Sequence, residues 1–368
     1  MKNYRIIISM LVAISVLFFQ SCEKNELDPV DNHDNIIPER FGIDIPSSIS
    51  SDVAAKSAQV DTLKGNDVYL HLRNFIKIGE HAAEVTGDIM GVIKKFNLNQ
   101  PLEFSFTSDE DGRPKLVSIT ENATFEGKIW EYKMTITDMG TDASTPHNIA
   151  LQVFWNKSPI KGIAILNPYN IDRRHGISKA SIMYRVDYSE AGELGYERHM
   201  VVAISGWPLG DPQTEPFSVS NLKMFVGKNG DVVSIYGNSE HPNARFLTSD
   251  TGFNWAFTAA SKKSENIAVA QVGLPPISLN SNDRYVLLVD YSIRNVFENQ
   301  ILAQWPWFPR EILDAYLYNL RAPGFFNSNG FVQGGTTPNS NYNELLNIIA
   351  GLTPYNPLVI NQLNIAFD

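Results

Sequence analysis

From Leu102 to Leu274 the apolar side chains recur with a period of two, and no stretch between them carries a helical pattern. Trp130, Tyr132, Met134 and Ile136 alternate with Glu131, Lys133, Thr135 and Thr137, as in a strand with one buried face. The alternation returns in Phe104/Phe106, Leu151/Val153/Trp155, Ile163/Ile165, Ile182/Tyr184/Val186/Tyr188, Phe217/Val219, Phe253/Trp255/Phe257 and Ile267/Val269. Between these runs stand Asp109-Glu110-Asp111-Gly112, Asn156-Lys157-Ser158-Pro159, Glu190-Ala191-Gly192 and Gly227-Lys228-Asn229-Gly230-Asp231, whose residue types suit tight turns. Roughly ten strands joined this way leave room for hairpins and none for the helical crossovers that parallel strands require. The expectation is an antiparallel meander, and a sheet that wide must curl or close.

What the sheet curls around is also legible. From Asn66 to Phe96, Val68, Leu72, Phe75, Ala82, Val85, Ile89, Val92, Ile93 and Phe96 recur mostly at three- and four-residue steps, which predicts a long amphipathic helix, with a break at Gly79 or Gly87 as an option. Asn97 and Pro101 stop it. The fold class is therefore α+β and mainly antiparallel β. A long N-terminal helix packs on a strongly curved meander sheet, as a half-barrel or, second, as a closed barrel.

After Pro275-Pro276 the texture changes. Tyr285 to Tyr291 reads as one more strand, Ile293 to Gln304 and Pro309 to Leu320 have helical spacing, Asn327 to Asn341 reads as a loop, and Asn343 to Leu352 as a last helix. Apolar density is too high for a free tail, so residues 277–368 are expected to form a partly helical cap on the domain spanning 61–276.

The N-terminus has a separate logic. Lys2 and Arg5 precede an apolar run from Ile6 to Phe19, and Gln20-Ser21-Cys22 follows. The run has signal-peptide length and falls short of the roughly 20 residues that span a bilayer. Leu17-Phe18-Phe19-Gln20-Ser21-Cys22-Glu23-Lys24 resembles the lipobox of a Bacteroidota-type lipoprotein, although Phe19 and Gln20 stand where Leu and a small residue are usual. The resemblance implies cleavage after residue 21, acylation of Cys22 and a membrane partner reached through an N-terminal lipid anchor in the outer membrane, on its surface or periplasmic face. Losing Lys2 and Arg5 moves the net charge from −10 to −12. Glu23, Glu26, Asp28, Asp31 and Asp34 face only Lys24, so residues 22–60 read as an acidic tether, continued by Pro38, Pro46 and the serines at 47, 48, 50 and 51. In such lipoproteins an acidic stretch beside the cysteine resembles a surface-export signal; a plain linker is the equal alternative. In architecture alone, helix followed by meander is similar to the curved-sheet lipid carriers of the LolA type.

An acidic chain has no surplus cation to neutralise a phosphate backbone, so nucleic acid is not an expected partner. The single Cys at position 22 excludes an intrachain disulfide or thiolate zinc site. No Gly-x-Ser-x-Gly, His-Glu-x-x-His or phosphate-loop pattern occurs; no catalytic residue, metal or cofactor is assigned. The Asp109–Gly112 and Asp172-Arg173-Arg174-His175-Gly176 clusters read as a hairpin turn and a solvated loop. Candidate ligand-binding residues are Trp207 at a strand end, Tyr236 and His241 at the Gly237–Asn243 loop, and Trp255. Trp130 and Trp155 join them, lining with Tyr132 and Phe257 a side channel between helix and sheet. Two functions stay open: a non-catalytic envelope lipoprotein holding an apolar ligand such as a lipid or meeting an envelope protein, and a surface protein that binds or degrades glycans.

Overall fold

The computed structural model describes residues 36–38, 40–51, 65–94, 100–140, 148–213, 215, 217–245 and 252–368. Residues 1–35, on which the expected signal segment and the lipidation of Cys22 fall, lie outside them. One helix, α1 (Gly65–Lys94), precedes eleven consecutive strands: β1 (Glu103–Thr107), β2 (Pro114–Phe125), β3 (Lys128–Asp138), β4 (Ile149–Lys157), β5 (Ile160–Leu166), β6 (Met183–Ser189), β7 (Arg198–Ser205), β8 (Leu222–Asn229), β9 (Val232–His241), β10 (Phe253–Lys262) and β11 (Ile267–Gly273). A short helix α2 (Pro168–Ile171) follows β5. After β11 come α3 (Ile293–Gln304), α4 (Arg310–Tyr316), β12 (Gly324–Asn327), β13 (Gly330–Gly334), α5 (Asn343–Ala350) and α6 (Pro357–Asn361). All thirteen strands form a single sheet in chain order, each antiparallel to the next. The first and last strands do not pair, so the sheet is a meander and is open.

Helix α1 packs on β6, β7, β8 and also on β13. It does not break at Gly79; a side chain there would strike Met224 of β8, with Sδ only 2.7 Å from an added Cβ. Glycine is used for close helix–sheet approach. Val68, Leu72, Ile76, Met90 and Ile93 of α1 are buried with Val153, Trp155, Val186, Val202, Met224, Ile235 and Phe257 in one apolar core. By strand alternation these residues share the inner face of the sheet.

Four expectations from the sequence are corrected. Residues 36–38 and 40–51 are packed core, not tether: Ile36, Ile37, Phe41, Ile43, Ile45 and Ile49 are all buried. Phe41, Ile43 and Ile45 alternate, and the carboxylate of buried Glu80 accepts from Ile45 N (2.7 Å) and Ser50 Oγ (2.5 Å), fixing this strap to α1. Residues 285–291 are not a strand. Tyr285 N donates to Asp283 Oδ1 (2.7 Å) and opens a wide helical turn over Val286–Asp290 that buries Leu287 and Leu288; short apolar runs do not distinguish helix from strand. Phe217 and Val219 lie in irregular chain between Pro212 and β8. Within 327–341, expected as loop, Asn327-Ser328-Asn329-Gly330 turns a hairpin that gives the sheet its last strand. The sheet thus does not stop at residue 276.

The outer face is covered in two places by the chain's end. Leu363, Ile365 and Phe367 pack on Trp130, Phe154, Ile163, Ile165 and Ala203, and Asp368 N donates to Gln152 Oε1 (2.8 Å). Tyr342, Leu345 and Ile349 pack on Ala260, Ile267, Val269 and Phe325.

Candidate functional site

The six tryptophan, tyrosine and histidine candidates do not form one site. Trp155 is an inner-face core residue whose Nε1 donates to Ile36 O (2.8 Å). Phe257 is equally buried, and Trp130 lies on the opposite face beneath Ile365. The four residues assigned to a side channel therefore do not line a common one. His241 and Trp255 do meet, ring centroids 4.0 Å apart, with Phe75 of α1 4.7 Å from the imidazole. The Gly237–His241 segment is strand, not loop. His241 is buried, its Nε2 2.8 Å from Ser239 Oγ and its Nδ1 3.1 Å from Phe217 O. Burial holds the imidazole well below the usual histidine range. A serine beside a histidine has the makings of a nucleophile and base, but both are sealed in the core. Trp207 follows β7 and packs half-buried against the same core.

Two clusters that read as unrelated solvated turns converge. Asp138 at the end of β3 is buried; its Oδ2 accepts from Arg113 Nε (2.9 Å) and Arg173 Nε (3.0 Å), and its Oδ1 from Gly140 N (2.9 Å). Asp111 Oδ2 accepts from Lys115 Nζ (3.0 Å) and Arg173 N (3.1 Å). Arg174 pairs with Asp172 (2.8 Å) and Glu110. Although burial alone raises a carboxyl pKa, the backbone amide and cations around Asp138 outweigh it and hold this one at about 2. Arg113, Lys115, Arg173 and Arg174 are matched by Glu110, Asp111, Asp138 and Asp172. This knot ties the β1–β2 turn and the start of β2 to the end of β3 and to the chain that follows α2.

Beside α1, a cleft of about 250 Å³ runs between strap residues 40–44 and the helix, its charged lining supplied by residues that include Arg40, Asp44, Glu84, Asp88 and Lys94. Glu84 is held down to about 2: its bonds to His81 and Lys77 outweigh its own desolvation. Asp88 is raised, by burial first and by Glu84's charge second. Pro38, Phe41, Ile43, Ala83 and Met90 line the same cleft, so its character is mixed.

The outer face of β6–β9, where the chain's end crosses β9 through Tyr355 and α6, has different chemistry. Asp187, Val201, Phe225 and Tyr236 are successive cross-strand partners, and Arg185, Ala203, Lys223 and Asn238 form the next row. Phe225 is buried beneath an aromatic group: Tyr236 stacks on it at 4.8 Å, His199 at 5.7 Å, and Tyr196 tilts over it at 5.3 Å. Tyr355 extends the row, 5.3 Å from Tyr236. It is positioned by a buried amide pair, because Asn238 Oδ1 accepts from Tyr355 N (2.7 Å) while Asn238 Nδ2 donates to Asn254 Oδ1 (2.6 Å).

Charged groups flank these rings. Arg185 grips Glu126 with two nitrogens (2.5 and 2.9 Å) and Asp187 with Nε (2.8 Å). Lys223 Nζ stands 4.7 Å over the Tyr355 ring and has no carboxylate within ion-pair distance among the described residues. Burial raises the carboxyl pKa of Asp187 in spite of Arg185, and burial lowers the Lys223 ammonium and the His199 imidazole. Groups pushed toward their neutral forms while still reachable from solvent are characteristic of ligand sites. Of the sequence candidates only Tyr236 belongs here. Arg185, Asp187 and Lys223 were visible as polar residues on strand positions, but their shared face depends on the register. No protein family, curated protein or solved structure matches this chain.

Proposed function

We propose that the chain is a lipid-anchored, non-catalytic protein of the bacterial cell envelope, held in the outer membrane through acylated Cys22, that binds a glycan on the outer face of β6–β9. In this reading the sheet is a half-barrel wrapped on α1, and residues 277–368 brace it as a cap. The observation that carries the proposal is the Tyr196/Tyr236/Tyr355 group flanked by Asp187, Arg185 and Lys223. Ring faces stack on the apolar faces of sugars, and half-desolvated charged groups bind hydroxyls or a sugar carboxylate more strongly than solvated ones do. Lys223, which feels Asp187 but has no carboxylate within ion-pair distance among the described residues, favours a sugar bearing a carboxylate.

The apolar-ligand reading has less support, because Trp155 and Phe257 fill the helix–sheet interface. The test is calorimetric titration of the purified protein with uronate-containing and neutral oligosaccharides. Binding is expected to be lost in Tyr236→Ala and Lys223→Ala, and kept in Arg40→Ala at the α1 cleft. Retention of envelope lipid with no sugar binding overturns the glycan reading. Separately, Cys22→Ala should abolish palmitate labelling and release the protein from membranes.

A further inference from the structure

Between α3 and β12 the chain displays apolar side chains that the core does not use. Trp307 is 75% exposed, Ile312 57% and Tyr316 63%, with Tyr318 next to them in sequence and also exposed. The helix that carries them is firmly seated, since Leu313 and Leu317 are buried in the main core. Ile312 and Tyr316 are one turn apart and share a face. Two of the three charges of α4 are paired with α3, Arg310 with Glu298 (2.6 Å) and Asp314 with Arg294, while Glu311 beside Ile312 is exposed. The result is a fixed apolar and aromatic surface with little free charge of its own on a protein that is strongly acidic elsewhere.

We propose that the Trp307–Tyr316 surface rests in the headgroup layer of the bilayer in which the protein is anchored. Trp and Tyr combine an apolar ring with one polar atom and favour that layer over both water and hydrocarbon, and Ile312 adds area without adding charge. The chain outside the described residues makes the contact reachable. Cys22 lies fourteen residues before Ile36, a reach of about 45–50 Å at full extension. Ile36 sits beside Trp155, whose cross-strand row reaches Ala270 of β11, and Gly273, three residues further on, bridges Ser292 at the start of α3. Seven strand spacings span at most about 34 Å and three residues along a strand about 10 Å, so fourteen residues suffice to let this end of the molecule face its own membrane. The proposal rests on the lipid-anchor reading of Cys22, and is independent of the glycan site.

The test reconstitutes the full chain in phosphatidylcholine vesicles whose acyl chains carry bromine near the headgroups. Trp130, Trp155 and Trp255 are buried and shielded from the quencher. Part of the tryptophan emission should be quenched, Trp307→Phe should remove that part, and the variant should float with the vesicles as the parent does. Flotation without quenching that depends on Trp307 overturns the proposal while leaving the anchor intact, as does a Trp307 emission open to aqueous acrylamide. A chain that carries no lipid label yet shows the Trp307-dependent quenching keeps the surface and removes the anchor. A dimer abolished by Trp307→Ala would assign the surface to a second copy, and overturns the bilayer contact.

Discussion

The two faces of β6–β9 are built from alternate residues of the same strands, yet they follow opposite rules. On the inner face Val186, Met200, Val202, Met224 and Ile235 are sealed under α1 with no charge among them. One residue along, on the outer face, Asp187, Arg185, Lys223 and His199 are held half-buried with tyrosines above a single buried phenylalanine. Hydrophobic burial is the main driving force for folding, and partial desolvation of charge opposes it. The inner face accounts for why the sheet is stable; the outer face retains groups that stability alone does not require. Substitutions should therefore separate the two faces by size and even by sign.

The largest losses belong to the inner face and to the knot at its end. Trp155→Ala removes a fully buried indole and its bond to Ile36 O, and should cost about 3–5 kcal/mol in urea unfolding. Asp138→Ala leaves Arg113 and Arg173 without their shared carboxylate and should cost about 3–5 kcal/mol, the usual penalty for breaking a buried pair. Because the folded carboxyl is held at about 2, below its ordinary 3.8, its contribution is complete above that ordinary value. It is lost as pH falls from about 4 through 2, and Asp138→Asn should flatten the acid limb there.

His241 tests the inner face in a window of its own. Burial, the dominant cause, depresses the folded imidazole well below 6.5. The unfolded chain then takes up the proton first, so stability is level above pH 6.5 and falls below it. One such group gives a slope of about 1.4 kcal/mol per pH unit. Between pH 6 and 5 the lowered carboxyl groups of Asp138 and Glu84 are ionised in the folded chain, and the difference in melting temperature between parent and His241 variant across that interval isolates this imidazole. His241→Phe should reduce the slope there; an unchanged slope would mean that the imidazole is not kept neutral.

How far the sequence carries this picture depends on the range of the forces involved. Helix α1 and Ile293–Gln304 follow from local periodicity almost to the residue, and the meander follows in kind, although β2, β7, β8 and β9 carry no plain alternating run of their own. The strap at 36–51 is not, although Phe41, Ile43 and Ile45 alternate as plainly as many strands; acidic residues before it and serines after it mask a signal that was present. The Asp138 knot joins residues up to 64 positions apart, a distance over which charge patterns carry no pairing information. The outer face is the least legible. Tyr236 is visible as an aromatic residue, but its neighbours come from three other strands and from Tyr355, more than a hundred residues later. Only the register and the path of the chain's end bring them together.

The smallest effect is the most discriminating. At pH 7 Asp187 is ionised in the unfolded chain, whereas in the fold burial opposes its charge and raises its pKa despite the Arg185 guanidinium at 2.8 Å. A raised carboxyl pKa means that folding is favoured by protonation, so this group detracts from stability at neutral pH and the deficit shrinks as pH falls toward the carboxyl range. Asp187→Asn removes the charge, keeps an oxygen that accepts from Arg185 Nε, and should leave stability unchanged or raise it by no more than about 1 kcal/mol, because a partly exposed side chain is screened by solvent. The same substitution should weaken glycan binding. A clear loss of stability would make Arg185–Asp187 an ordinary structural ion pair and remove the outer face's claim to be a site. Unchanged or improved stability with weakened binding is the pattern of a residue kept for its ligand at the expense of the fold, and no inner-face variant should reproduce it.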